Sequence, residues 1–131
     1  MKHFTNWIET KSSGISLWLD DERDPDDPFI QEEFHARSGM TWVKSAKAAI
    51  RILDGGEVTY MSFDHDLGPA EAGTGYEVAQ WVEREAHAGT LPRFIWTVHS
   101  FNPVGSRNII RAMTSAERYW RQHEESEHKG Q

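Results

Sequence analysis

Carboxylates stand where two apolar segments of this chain end: Ile15-Ser-Leu-Trp-Leu19 runs into Asp20-Asp21, and Val58-Thr-Tyr-Met-Ser-Phe63 runs into Asp64-His65-Asp66. Ionised groups at the feet of buried strands are costly unless they are paired, protonated or neutralised. If the two segments lie side by side as strands, Asp20, Asp21 and Asp64 meet at one sheet edge. A hard, oxygen-seeking divalent cation is then the economical way to hold them together. A further apolar run, Phe94-Ile-Trp-Thr-Val98, ends at His99-Ser100. An unperturbed imidazole has a reference pKa of about 6.5, so His99 can exchange protons near neutrality.

The elements that must position these groups alternate between strand and helix patterns. Ile15–Leu19 is followed by the loop Asp20–Pro28, rich in the Pro and Asp that favour turns, and Phe29–Phe34 adds about one helical turn. Met40–Val43 reads as a short second strand. Ala46, Ala49, Ile50 and Leu53 then fall at helical spacing, and Asp54-Gly55-Gly56 stops the helix. Val58–Phe63 is apolar enough for a strand covered on both faces. Thr74 and Glu77 have capping-box spacing, and Val78, Ala79, Val82 and Ala86 form the buried stripe of the next helix. After Phe94–Val98, Asn102-Pro103 offers a cap and a first-turn proline for a helix carrying Ile109, Ile110, Met113, Ala116 and Trp120.

Strand and helix in this order imply βαβ units with right-handed crossovers, helices on both sheet faces, and ligands at the carboxyl ends of the strands. That edge carries Asp20, Asp21, Asp64, His65, Asp66, His99 and Ser100. Three stretches result: an N-terminal extension over 1–14, which Phe4, Trp7 and Ile8 would dock, an α/β domain over 15–120, and a polar tail over 121–131 that frays.

At 131 residues, with six Trp and six Phe, the chain suits one domain with a packed core. It has no Cys, which excludes disulfides, thiolate zinc sites and thiol nucleophiles. A net charge of −7 argues against an extended nucleic-acid groove, which needs a basic surface to release counterions, but admits a nucleotide or the end of one strand. Neither a signal-peptide pattern nor a membrane-spanning run is visible, so a cytoplasmic protein with no membrane partner is expected.

Leu17-Trp-Leu-Asp-Asp-Glu-Arg-Asp-Pro25, Ser62-Phe-Asp-His-Asp-Leu-Gly68, Thr74-Gly-Tyr-Glu-Val-Ala79 and Val98-His-Ser-Phe-Asn-Pro-Val-Gly105, taken in order, resemble the cyclic-phosphate-processing receiver family, a divergent branch of the response-regulator receiver fold. The resemblance covers about Ile15 to Met113. It implies a receiver-like, flavodoxin-like α/β three-layer sandwich with a short, mainly parallel sheet in strand order 2-1-3-4. It also implies Mg²⁺ (or Mn²⁺) held by Asp20, Asp21 and Asp64, a phosphoryl-contacting hydroxyl at Ser100, and the handling of cyclic phosphate on small nucleotides or RNA ends, as in RNA repair. The lysine that ordinary receivers carry after a fifth strand has no counterpart, which tells against two-component switching. His65, Asp66 and His99 shift the balance toward catalysis.

Hydrolysis of a cyclic phosphodiester needs positive charge on the phosphoryl oxygens, an in-line nucleophile and an acid for the leaving oxygen. His99 is the first candidate for the acid–base, with Asp64, Asp66 and His65 as further catalytic candidates. Ser100, Asn102 and the N–H groups of the following helix would cradle phosphate, with Arg107 one turn on as a clamp. Each group also has a plainer use: Asp66 as a turn cap, His65 and His99 as hydrogen-bonded buried histidines, Ser100 and Asn102 as helix caps, and Asp24, Asp26 and Asp27 as a solvated loop. Two other activities fit the same residues. One is a catalytically silent pseudo-receiver that binds a phosphorylated ligand or a protein partner. The other is an aspartyl-phosphate phosphatase built on Asp64-x-Asp66.

Overall fold

A computed structural model describes residues 14–129 of the chain. The expected docking of Phe4, Trp7 and Ile8 lies outside the described residues. Four strands, β1 (Ile15–Leu19), β2 (Thr41–Val43), β3 (Val58–Phe63) and β4 (Ile95–Val98), form one sheet in the order β2-β1-β3-β4, with every pairing parallel. The connecting helices are α1 (Pro28–Phe34), α2 (Ala46–Leu53) and α3 (Gly75–Ala88), and α4 (Pro103–Lys129) follows β4. This is the receiver-like α/β arrangement that the alternating pattern implies.

The two faces of the sheet are covered unequally. Leu17 and Leu19 of β1, Val43 of β2 and Met61 and Phe63 of β3 point into the main core, where Ala49 and Leu53 of α2, Val78 and Val82 of α3 and Ile109 and Met113 of α4 meet them. On the opposite face Trp18 is fully buried with Ile30 of α1, Ala36 and Met40, and Phe34, Trp42 and Tyr60 pack at its margin. This second layer stops short of β4, leaving Ile95 70% exposed. No helix among the described residues is long and apolar enough to cross a membrane.

Local chemistry explains the helix starts. Asp27 caps α1 by accepting from the Phe29 N–H, Ser45 caps α2 through Ala48, and Thr74 caps α3 through Glu77. With Pro28 at its first position, α1 runs seven residues rather than the single turn expected. At the other end of the chain the structure corrects the fraying tail. Helix α4 continues to Lys129 because no Pro or Gly interrupts Arg121–Lys129, and two ties hold it: Arg93 forms a two-pronged ion pair with Glu124, and the His123 ring bonds the His87 carbonyl.

Candidate active site

Three strand ends converge because the parallel ladder continues one residue past each strand. Leu19, Phe63 and Val98 are in register across β1, β3 and β4, and beyond them the Asp64 N–H donates to Leu19 O (2.9 Å) and the His99 N–H to Phe63 O (2.9 Å). Asp20 is tied to β2 by its own N–H donating to Val43 O (3.1 Å). Asp20, Asp64 and His99 are thereby set next to one another by backbone geometry alone.

Asp20 is fully buried and fully partnered. Its Oδ1 accepts from the N–H groups of Glu22 (2.8 Å) and Arg23 (2.9 Å), and its Oδ2 accepts from Arg23 Nη1 (3.0 Å) and His99 Nε2 (3.0 Å). Burial alone would raise its pKa, but the bonds from His99, the two backbone N–H groups and the guanidinium outweigh burial and hold it at about 2. Asp64 is almost as buried and far less well supplied, with one short bond from the His65 N–H (2.8 Å) and Arg23 Nη1 3.6 Å away. Burial first, and then the neighbouring Asp20 charge, push its carboxyl up to about 6.

Asp21, half-exposed, completes the set. One oxygen from each of Asp20, Asp21 and Asp64 lies within 4.8 Å of the others. A divalent cation fits this donor set: three carboxylates converge, and one of them is held well above its ordinary pKa for want of positive charge. Gly75 keeps the β3 end in place, since its N–H donates to His65 O (2.9 Å) and its Cα lies so close to the Asp64 carbonyl that any side chain would collide with it.

His99 has the geometry of the plainer of the two uses its sequence context offers, a buried, hydrogen-bonded histidine. Its side chain is 3% exposed, its ring lies flat on Trp18 with centroids 3.8 Å apart, and both nitrogens are engaged, Nε2 with Asp20 and Nδ1 with the Ser62 hydroxyl (2.7 Å). Burial is the leading influence on its pKa and lowers it, so the neutral ring donates from Nε2–H to Asp20 and accepts from Ser62 at Nδ1. No nitrogen is left to face a substrate.

His65 and Asp66 form a second group at the same edge. His65 Nδ1 lies 3.0 Å from Asp66 Oδ1, and the Asn102 amide donates to Asp66 Oδ2 (3.3 Å). The imidazole partner, and after it the amide, hold the Asp66 carboxyl below its usual value. The ring rests directly on Gly105 in the first turn of α4, where a methyl group would overlap it. His65 Nε2 makes no hydrogen bond among the described residues.

The phosphate candidates divide. Asn102 is committed as the α4 cap, its Oδ1 accepting the Gly105 N–H (2.9 Å), and as the donor to Asp66. Ser100 accepts the Asn102 N–H (3.0 Å) and also lines a cavity of about 300 Å³ with Asp21, Arg23, Asp64, Asp66 and Phe101. Arg107 is exposed and does not line that cavity. The cation against the acids is Arg23, which the sequence reading passed over. Trp18 Nε1–H donates to its carbonyl (2.8 Å), and its guanidinium lies 4.5 Å from the Phe34 ring centre and 5.2 Å from that of Phe101. The only sequence signal was an Arg three residues after Asp20, inside a loop of mixed charge. Asp24 and Asp27 serve a local turn and a cap, while Asp26 Oδ1 accepts from the Gly39 N–H (3.3 Å).

A parallel sheet in this order with acids gathered at its carboxyl edge defines a receiver-type domain. A family model described as the cyclic-phosphate processing receiver domain matches residues 15–115, and the chain belongs to that family. Comparisons with curated proteins and with solved structures gave no match.

Proposed function

We propose that this protein hydrolyses a cyclic phosphodiester of the 2′,3′-cyclic phosphate type, on an RNA end or a small nucleotide, with Mg²⁺ or Mn²⁺ at Asp20, Asp21 and Asp64. The observation that carries the reading is the convergence of these three carboxylates within 4.8 Å at the edge of a domain from a cyclic-phosphate-processing family. The bound cation would supply positive charge to the phosphoryl oxygens and lower the pKa of water.

The chain's own residues supply the rest. Arg23 stands at the mouth between Asp20 and Asp64 and would steady phosphoryl oxygens by two-pronged hydrogen bonding, with the Ser100 hydroxyl beside it. In hydrolysis the water oxygen bonds to phosphorus, the bond from phosphorus to one ribose oxygen breaks, and that oxygen gains a proton while the water loses one. His65, oriented by Asp66 and with Nε2 free of hydrogen bonds among the described residues, is the group suited to carry this proton. His99 acts through Asp20 as a positioning residue, locked by Trp18 and Ser62.

The test is to offer 2′,3′-cyclic nucleotides with and without Mg²⁺ and to follow ring opening by phosphorus NMR. Metal-dependent opening, lost in Asp64→Ala, is expected, and inertness toward every cyclic phosphate overturns the proposal. One observation favours a second reading, a silent module that binds a phosphorylated ligand: Arg23 already pairs with Asp20 and stands 3.6 Å from Asp64. Under that reading Mn²⁺ does not bind, and phosphate-ligand affinity is the same in wild type and Asp64→Ala.

A further inference from the structure

Beside the acidic cavity lies a second hollow, also about 300 Å³, whose walls include Phe34 and His35 at the end of α1 and Thr97, His99, Ser100 and Phe101 at the end of β4. The two share Ser100 and Phe101 as lining residues, so they adjoin along that segment. The hollow exists because α1 covers only part of its sheet face and stops before β4. At the junction Phe101 is 76% exposed, with its ring edge-on to Phe34 at 5.3 Å. The pair presents aromatic surface to solvent beside a polar site.

From this juxtaposition we propose that the Phe101–Phe34 hollow is a subsite for the nucleobase of the nucleotide whose phosphate lies at Arg23 and the three acids. The inference rests on the hydrolysis reading for the identity of the phosphate. Three observations favour a base over an aliphatic group or a peptide. Phe101 offers an open π-face, on which a base stacks irrespective of its sequence. Arg23 lines the acidic hollow with its Nη1 against Asp20 and Asp64, and its guanidinium lies against the two Phe rings that line the second hollow, so a ligand reaching from one to the other meets a cation at one end and an aromatic surface at the other. Glu33, His35 and Thr97 line the hollow with polar groups able to meet the hydrogen-bonding edge of a base. The volume is at the small end for ligand sites and suits one base rather than a run of them, in keeping with a chain of net charge −7.

Calorimetric titration of the full chain in Mg²⁺, with adenosine 2′-monophosphate and with ribose 5-phosphate as a base-free control, tests the subsite. Stacking of one base contributes about 1–3 kcal/mol, so wild type should bind the nucleotide at least about fivefold more tightly. Phe101→Ala should close that gap, bringing the affinities for the two ligands together, and Phe101→Trp should keep it. Equal affinity for the two ligands in wild type, no binding of either, or a gap unchanged in Phe101→Ala overturns the subsite. Because binding is read without turnover, a protein that shows the gap yet opens no cyclic phosphate disproves the hydrolysis reading alone.

Discussion

The ends of β1 and β3 carry chemically identical groups a few ångströms apart and treat them in opposite ways. At the end of β1, Asp20 is enclosed, bonded at both oxygens and acidified to about 2. At the end of β3, Asp64 is enclosed, thinly bonded and pushed up to about 6. The difference lies in the path of the chain beyond each strand. After Asp20 it turns back so that two N–H groups and an arginine point at the carboxylate, whereas after Asp64 it leaves toward His65 and Gly75 and returns one N–H. One carboxylate is part of the fold's framework. The other is held ready for positive charge that the chain does not fully provide.

The contrast breaks most visibly at Asp20. Replacing it by Ala strands Arg23 and His99 without their partner, and losing one member of a buried ion pair costs about 3–5 kcal/mol. Denaturant unfolding at pH 7 should show a loss of that size. Asp64→Asn should do the reverse and stabilise the protein at pH 7 by about 3 kcal/mol, because the wild-type carboxylate is ionised there against its environment. A folded pKa raised from 3.8 to about 6 makes this cost fully present above pH 6 and absent below about pH 4, so the gain should vanish in unfolding measured at pH 4. A variant that is less stable than wild type at both pH values would show that the two strand ends are not opposites.

The same pair sets a pH profile. As pH falls from 7, relief of Asp64 adds stability down to about pH 4. Below that value the contribution of Asp20, whose folded pKa is depressed to about 2, is progressively lost. From these two groups alone, stability is greatest near pH 4, and thermal unfolding across pH 2–8 measures it. The smallest effect belongs to Ser62→Ala, which removes one hydroxyl from His99 Nδ1 and should cost about 1 kcal/mol. It sharpens the comparison by asking whether the β1 network depends on the third strand's hydroxyl.

Much of this architecture was legible in the residues. β1 and β3 have the limits that their apolar runs suggest, and Thr74 and Asn102 cap their helices as expected, because strand burial and capping are local and leave local signatures. The gathering of Asp20, Asp21 and Asp64 came from topology. The part that was not legible depended on contacts distant in sequence. His99 lies buried because Trp18 covers its face and Ser62 and Asp20 take its nitrogens, and no spacing encodes that. Arg23 could not be preferred to Arg107 until Phe34 and Phe101 were seen beside its guanidinium. The continuation of α4 past Trp120 likewise depends on Arg93 and His87, which lie in other segments.

At 27 residues, α4 is about 40 Å long, roughly twice the span of the longest strand. Its first turn presses on the His65 ring through Gly105 and borders Asp66 through the Asn102 cap, while Arg121 to Glu127 are bathed by solvent. A stiff rod cannot tilt at one end only. The outer turns, held by Arg93–Glu124 and His87–His123, and the imidazole seat at Gly105 are therefore parts of one continuous element, clamped between them in the core at Ile109, Met113, Ala116 and Trp120.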